Sequence, residues 1–163
     1  MKEHFGILGI LLIFALCACQ NDKNSAETPV PHNDDVLYLV DEYDENRDAA
    51  QDLSQAVEAA KGAGKKIILE VGGDWCPDCI ALERFINDNE DIFREMANQY
   101  FIVKINLSPD NMNEEFLGQY PGFEWVPHFF ILKSDGTLIE SLDTRELMTD
   151  GAFDPQKFWS FLE

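Results

Sequence analysis

The sequence predicts an α/β fold, with a central mixed β-sheet flanked by α-helices on both faces. Strand-like and helix-like stretches alternate along the chain, which is typical of a parallel sheet covered by helices. Two strand candidates, 66–71 and 100–105, are nearly continuous apolar runs, as strands buried on both faces require. The last two strand candidates are joined by a short turn, which predicts an antiparallel hairpin and makes the sheet mixed.

The individual elements follow from hydrophobic spacing and from residues that start or stop helices. The strand candidates are, in chain order, 36–40, 66–71, 100–105, 128–133 and 138–142. Helices are expected at about 46–61, from 77 through 86, around 92–97, at about 112–120 and after 154. Gly62 is the expected stop of the first helix, and Asp154-Pro155 caps the last one.

The charge of the chain is strongly one-sided. Of 163 residues, 31 are acidic and 12 are basic, and the formal net charge is -19. Such a surface lacks the cationic groups that meet nucleic-acid phosphates, so we expect no nucleic-acid partner. A well-solvated acidic surface is the expected reason for this charge, and electrostatic selection of a basic partner is the alternative.

Residues 1–18 differ in kind from the rest of the chain. Phe5 to Ala15 is an almost unbroken apolar run, shorter than the roughly 20 residues that a membrane-spanning helix needs, and this is typical of an export signal. Its end, Leu16-Cys17-Ala18-Cys19, resembles the bacterial lipobox. The resemblance implies cleavage before Cys19 and a lipid on that cysteine. The alternative is an ordinary secreted protein with a free cysteine near its start.

The chain is therefore divided into a signal peptide (1–18), a lipid-anchored flexible tether (19–35) and one domain (36–163). We expect an exported protein, lipid-anchored to a bacterial membrane. Asn21 is not the aspartate that commonly retains such lipoproteins in the inner membrane. The outer membrane, facing the periplasm, is therefore the expected location, while a source with a single membrane stays open.

The four cysteines have different fates under this interpretation. Cys17 leaves with the signal and Cys19 carries lipid, so Cys76 and Cys79 remain as thiols. Exported proteins commonly use cysteines as structural staples. A bridge across two intervening residues, however, closes almost no loop and adds little stability. We therefore interpret Cys76 and Cys79 as a reactive pair, not as a structural disulfide.

The spacing of Cys76 and Cys79 suits disulfide exchange at the start of a helix. Pro77 suits the first turn, and Cys76 would be the N-cap, where free backbone N–H groups and the helix dipole stabilise a thiolate. A thiolate is the attacking species in disulfide exchange. Cys79 lies deeper in the first turn and can attack the mixed disulfide that Cys76 forms. The motif thus predicts a nucleophile and a resolving thiol.

With these residues in place, the chain resembles the thioredoxin family over nearly all of residues 36–163. Trp75-Cys76-Pro77-Asp78-Cys79 matches the active-site motif of that family, between a buried strand and a helix. Val126-Pro127 resembles the cis-proline segment that faces the cysteines there, and Gly136 falls in the final hairpin turn, as is usual. The resemblance implies a thioredoxin fold, catalysis by the two cysteines, and substrate contacts from Trp75, Val126 and Pro127.

The resemblance also assigns an acid and a lysine. Glu70 occupies the place of a buried acid, usually aspartate, that helps to move the proton of the resolving cysteine, and Lys104 matches the neighbouring lysine. Burial raises the pKa of a carboxyl group and makes it a credible base near neutral pH. The alternative is that Glu70 is a surface residue at a strand edge.

Three further neighbours of the cysteines are candidates for tuning the site. Pro77 and the helix dipole favour a thiolate, whereas Asp78 opposes one and would make the pair a stronger reductant. Asp78 could instead be an exposed acid that suits the helix start. His128 could contact substrate or tune Cys76. The preferred interpretation is that it is a strand residue with no part in the chemistry.

Three functional classes are compatible with these sequence features. The first, which we favour, is a membrane-anchored thiol–disulfide oxidoreductase that acts on protein disulfides in the reducing direction. The second is copper(I) binding by the two thiolates with His128 as a third ligand. The third is a redox-inert interaction module. We expect no cofactor and no resident metal. The expected partners are client proteins, an unidentified redox partner and the membrane, and the protein is expected to be a monomer.

Overall fold

The computed structural model describes Met1 and residues 36–163. The predicted tether, Cys19 and all of the signal peptide except Met1 lie outside the described residues. The strands are β1 (Tyr38–Val40), β2 (Lys66–Gly72), β3 (Tyr100–Asn106), β4 (His128–Leu132), β5 (Leu138–Asp143), β6 (Met148–Thr149) and β7 (Ala152–Phe153). The helices are α1 (Ala49–Ala63), α2 (Pro77–Asp88), α3 (Glu90–Gln99), α4 (Glu114–Leu117) and α5 (Pro155–Leu162), and a 3-10 helix spans Thr144–Leu147. In the described part of the chain, no helix is long and apolar enough to cross a membrane.

Five strands form one mixed sheet in the order β1-β3-β2-β4-β5. β3 runs parallel to both β1 and β2, whereas β4 pairs antiparallel with β2 and with β5. The predicted mixed sheet and its final hairpin are confirmed. β2 and β3 have neighbours on both edges and lie buried, which explains their nearly continuous apolar sequence.

Each face of the sheet carries its own core, because successive residues of a strand point to opposite faces. On one face, Ile68 and Phe129 belong to the core formed with α2, α3 and α5. On the other, Ile67 and Phe130 belong to the core formed with α1 and α4. Helices therefore flank the sheet on both faces, as predicted.

The first helix ends later than predicted. α1 runs through Gly62 and is capped by Gly64, whose φ of 70° is in the left-handed region that glycine adopts without a steric penalty. The expectation that Gly62 stops the helix was wrong, because spacing alone does not say which of two nearby glycines takes this conformation. The helix begins at Ala49, since the side chain of Asp48 accepts hydrogen bonds from the backbone N–H groups of Ala50 and Gln51.

The hairpin of β6 and β7 was not predicted. It forms a separate two-stranded sheet, turned by Asp150 and Gly151 with φ of 52° and 82°. Strands of two residues carry no detectable alternation, although an Asp-Gly pair is itself a hairpin signal. The ring of Phe153 in β7 lies 5.8 Å from that of Phe85 in α2. This hairpin therefore packs against the helix that begins with the cysteine motif.

Candidate active site

The two cysteines occupy the start of α2. Pro77 is its first residue, and Cys76 is the N-cap, with φ of -92° and ψ of 112°. The backbone N–H of Cys79 donates to the sulfur of Cys76 over 3.1 Å, which places that sulfur at the free N–H groups of the first turn. The cysteines form a disulfide, with their Cα atoms 5.3 Å apart. The helix-start geometry expected from the sequence is thus present.

The segment before β4 lies against Cys76. The Val126-Pro127 peptide bond is cis, and the carbonyl oxygen of Val126 lies 3.6 Å from the sulfur of Cys76. The hydroxyl of Thr144 donates to the carbonyl oxygen of Pro127 over 2.5 Å. The 3-10 helix after β5 therefore holds the segment that faces Cys76.

Two exposed indoles flank the disulfide. Trp75 is 58% exposed, and its indole N–H donates to the carbonyl oxygen of Leu107 over 2.8 Å. Trp125 is 41% exposed and carries the guanidinium of Arg145 at 4.9 Å from its ring centroid. A shallow cavity beside Trp125 is lined by Asp78, Trp125, Arg145, Met148 and Gly151. The surface beside Trp125 therefore combines an indole ring with the cation of Arg145 and the carboxyl group of Asp78.

Glu70 is fully enclosed on the face of the sheet that α2 covers. It is 1% exposed, and the hydroxyl of Tyr43 donates to its Oε1 over 2.5 Å. Its Oε2 is buried and has no hydrogen-bond partner among the described residues. Burial raises the pKa of Glu70, while the bond from Tyr43 and the charge of Lys104 act in the opposite direction. The alternative that Glu70 is an exposed residue at a strand edge is therefore wrong.

Lys104 is paired in register with Glu70 across β2 and β3, but its ammonium group bonds elsewhere. Its Nζ lies 3.0 Å from Oε2 of Glu83 in α2, and also over the rings of Tyr38 and Tyr43. The lysine side chain is 3% exposed, so its charge is compensated inside the protein. Lys104 thus acts on Glu70 through its field and on α2 through a direct ion pair.

His128 lies away from the cysteines. It pairs with Val71 in the sheet, and its ring stacks on Phe123 at 4.9 Å between centroids. Its Nε2 lies 2.9 Å from Oγ of Ser141, and its Nδ1 has no partner in the described part of the chain. Burial lowers the pKa of His128. The alternation of β4 turns this side chain to the face opposite α2, so the structure does not bring it together with Cys76.

Three residues of the site were missed from the sequence. Tyr43 reaches the site from a loop and Thr144 from the 3-10 helix, both far along the chain, and no local spacing marks them. Gly72, the third, is the last residue of β2. A Cβ atom there would lie 2.7 Å from the sulfur of Cys79 and 2.8 Å from the hydroxyl oxygen of Tyr43. The Gly72-Gly73 pair just before the motif was the one signal that a close approach was needed.

Among the described residues, the structure places no third metal ligand beside Cys76 and Cys79. Within residues 36–163, no group of three or more histidine, cysteine or acidic side chains is placed to hold a metal ion. His128, the ligand considered from the sequence, faces the other core. The copper(I) alternative is therefore reduced to the two thiolates of Cys76 and Cys79.

The fold and the site together define a class of protein that presents a redox-capable cysteine pair at a helix N-terminus, opposite a cis-proline segment. A family model described as thioredoxin-like matches residues 48–134. The chain belongs to this thioredoxin-like family, and it carries the CxxC pair of the family's thiol–disulfide oxidoreductases.

Two solved structures illustrate the relationship. A disulphide isomerase from Xylella fastidiosa Temecula1 is 28% identical with a TM-score of 0.61, and the match covers 74% of this chain and 92% of that one. The C-terminal domain of Neisseria meningitidis DsbD in the oxidised form is 20% identical with a TM-score of 0.50, covering 74% and 97%. The second likeness concerns the fold alone. Comparison with curated proteins finds no match.

Proposed function

We propose that this protein is a membrane-anchored thiol–disulfide oxidoreductase that acts on protein disulfides through Cys76 and Cys79, in the reducing direction. The observation that carries the proposal is the position of Cys76. Its sulfur caps α2 and faces the carbonyl oxygen of Val126, beside the cis-proline. Both cysteines are almost fully buried, at 3% and 1% exposed. A client disulfide docked on this segment is expected to meet Cys76 first, because Cys76 lies against the segment and the sulfur of Cys79 lies next to Gly72.

The reaction proceeds by two exchanges. The thiolate of Cys76 attacks one sulfur of a client disulfide, forms a mixed disulfide and releases the second client sulfur as a thiolate. Cys79 then gives up its proton, and its thiolate attacks the sulfur of Cys76. The client leaves with both cysteines reduced, and the Cys76–Cys79 disulfide forms. A separate redox partner must return two electrons to this disulfide before the next cycle.

Glu70 is the proposed acceptor of the Cys79 proton. It lies two residues before Gly72 in β2, on the same face of the sheet, and Gly72 leaves the space that the sulfur of Cys79 occupies. Because burial raises the pKa of Glu70, its carboxylate binds a proton more strongly than an exposed one does.

The reducing direction is supported by charge. Asp78 stands in the first turn of α2, and the whole chain has a net charge of -19. Both disfavour the thiolate, and a less stable reduced state makes a stronger reductant. The name of the Xylella relative, a disulphide isomerase, supports protein disulfides as the substrate class.

The anchor is proposed from the lipobox resemblance at Leu16-Cys17-Ala18-Cys19. A lipid on Cys19 would hold the domain at a membrane, with residues 20–35 as the tether. The periplasmic side of an outer membrane is the proposed location, because Asn21 lacks the acidic side chain that commonly retains lipoproteins at the inner membrane. Several acyl chains anchor stably, since each buried methylene contributes about 0.8 kcal/mol.

The test is the redox potential of the Cys76–Cys79 pair, measured by equilibration with glutathione buffers. We expect a value nearer that of thioredoxin, at about −270 mV, than the strongly oxidising end of the fold, at about −120 mV. A value near the oxidising end would overturn the reducing direction. A pair that never exchanges with glutathione would instead favour the redox-inert module. Tight copper(I) binding that blocks exchange would favour the metal alternative.

A further inference from the structure

The hydroxyl of Tyr43 lies at the inner side of the disulfide. Tyr43 belongs to the loop between β1 and α1, and its hydroxyl donates to Oε1 of Glu70 over 2.5 Å. This bond leaves Oε2 of Glu70 buried without a hydrogen-bond partner among the described residues. An unpaired buried oxygen costs free energy, and a role in proton transfer is one physical explanation for its presence in a folded protein.

Tyr43 and Cys79 share one small space. A Cβ atom on Gly72 would lie 2.8 Å from the hydroxyl oxygen of Tyr43 and 2.7 Å from the sulfur of Cys79. Both groups therefore occupy the room that the missing side chain of Gly72 leaves. The hydroxyl of Tyr43 thus contacts the carboxyl group of Glu70 and shares the space over Gly72 with the sulfur of Cys79.

We propose that Tyr43 is a positioning residue of the resolving step, which fixes the Glu70 carboxylate through Oε1 so that Oε2 stays free to take the Cys79 proton. This proposal rests on the proposed oxidoreductase function. The proton passes from the thiol of Cys79 to the carboxylate of Glu70. The thiolate that results attacks the sulfur of Cys76 and forms the Cys76–Cys79 disulfide, while the bond between Cys76 and the client breaks and the client sulfur leaves as a thiolate. Tyr43 itself is neither oxidised nor deprotonated.

The groups that face Glu70 keep Tyr43 in the donor role. Burial and the neighbouring Glu70 raise the pKa of Tyr43 well above its usual value, so the phenol stays protonated. Lys104 from β3 favours the Glu70 carboxylate, while Glu83 from α2 opposes it. Loss of the Tyr43 bond would therefore raise the pKa of Glu70 further, and less of the carboxylate would be present at neutral pH.

The test uses the full chain with serine in place of Cys17 and Cys19, so that only the working pair reacts. The reduced protein is mixed with dithiobis(nitrobenzoate), which releases one coloured thiolate on attack by Cys76 and a second on resolution by Cys79. In Tyr43→Phe, the first phase is expected to match the parent. The second phase is expected to slow by about tenfold at neutral pH, the effect of one hydrogen bond to a charged group. Its pH inflection is expected to move upward.

Tyr38→Phe is the matched control. Tyr38 lies in the same buried cluster, and its hydroxyl has no hydrogen-bond partner among the described residues. This variant is expected to keep the parent inflection. A second control is the double variant Tyr43→Phe/Glu70→Gln, which is expected to resolve no more slowly than Glu70→Gln alone, because Tyr43 acts through Glu70.

The possible failures are distinguishable. If the parent releases no second thiolate, both the proposed function and this inference are overturned. If Glu70→Gln slows resolution but Tyr43→Phe keeps the parent rate and inflection, or Tyr38→Phe moves them equally, the inference alone is overturned. Should Tyr43→Phe fail to fold, the NMR shift of the Tyr43 ring carbon bearing the hydroxyl is followed in the parent. This shift is expected to titrate together with Glu70 in the parent and to lose that titration in Glu70→Gln. The same pH dependence in both proteins would overturn the inference.

Discussion

The hydroxyl of Thr144 donates a 2.5 Å hydrogen bond to the carbonyl oxygen of Pro127. Both groups are buried, and they lie next to each other at the open end of the β4–β5 hairpin, where His128 pairs with Asp143. Because Val126 and Pro127 form the surface that faces Cys76, this bond fixes the proposed client-docking segment to the body of the domain. Thr144 is 0% exposed, so no water replaces the bond when it is lost.

Thr144→Val is therefore expected to lower the free energy of unfolding by about 1–3 kcal/mol, because it leaves a buried carbonyl without its donor. Urea denaturation of the oxidised protein measures this. Thr137→Val is the control, because it removes an exposed hydrogen bond to Asp135. This variant should change the stability by no more than about 0.5 kcal/mol. Equal stabilities of the two variants would show that the bond to Pro127 contributes nothing.

The two cysteines are expected to behave differently when each is replaced by serine. Cys79→Ser should accumulate mixed disulfides with client proteins, because Cys76 can attack but nothing resolves the product. Cys76→Ser should not, since the sulfur of Cys79 lies inward above Gly72. Non-reducing gels of membranes from cells that express each variant measure the difference. Trapping by Cys76→Ser alone would reverse the assigned roles.

Glu70→Gln is expected to slow client release and to change how stability depends on pH. The folded pKa of Glu70 is raised above its ordinary value of 4.5, so the folded protein keeps a proton that the unfolded chain has released. The contribution of Glu70 to the stability therefore falls as pH rises from about 4.5 to the folded pKa, and is level above it. The variant should lack this loss and be the more stable protein at neutral pH.

Denaturation of both proteins across this pH range tests the stability change. Glu58→Gln, the same substitution at an exposed position, is the control. The rate of release from the mixed disulfide should fall most near neutral pH and recover at high pH, where Cys79 ionises without help. Parallel stability curves for wild type and Glu70→Gln would mean that the carboxyl group does not hold its proton in the folded state.

Cys19→Ser is expected to move the protein from the membrane fraction to the soluble fraction, because it removes the proposed site of lipid attachment. Cys17→Ser is the matched control and should leave the protein anchored, since Cys17 is expected to depart with the signal peptide. Fractionation and mass spectrometry of the N-terminal peptide measure both. The anchor would be contradicted if Cys19→Ser stayed in the membrane fraction and the N-terminal peptide of the wild-type protein carried no lipid.

Local patterns in the sequence were enough to predict the sheet, its buried central strands and the start of α2. The apolar runs of β2 and β3, the proline after Cys76 and the cap at Asp154 each act on residues within one or two turns. Their effect is set by backbone periodicity and by the free N–H groups of a first turn, which are the same in any fold. The C-cap of α1 at Gly64 could not be predicted, because Gly62 was an equally suitable cap by sequence.

The sequence by itself thus determined the fold class and the pair Cys76 and Cys79. Only the tertiary structure decided which residues surround that pair. Tyr43 meets Glu70 from 27 residues away, and His128 is turned from the cysteines by the register of β4 against β2. Contacts of this kind depend on strand order and register, which are fixed by the packing of the whole domain, whereas helix starts and strand alternation are fixed by neighbours in the chain.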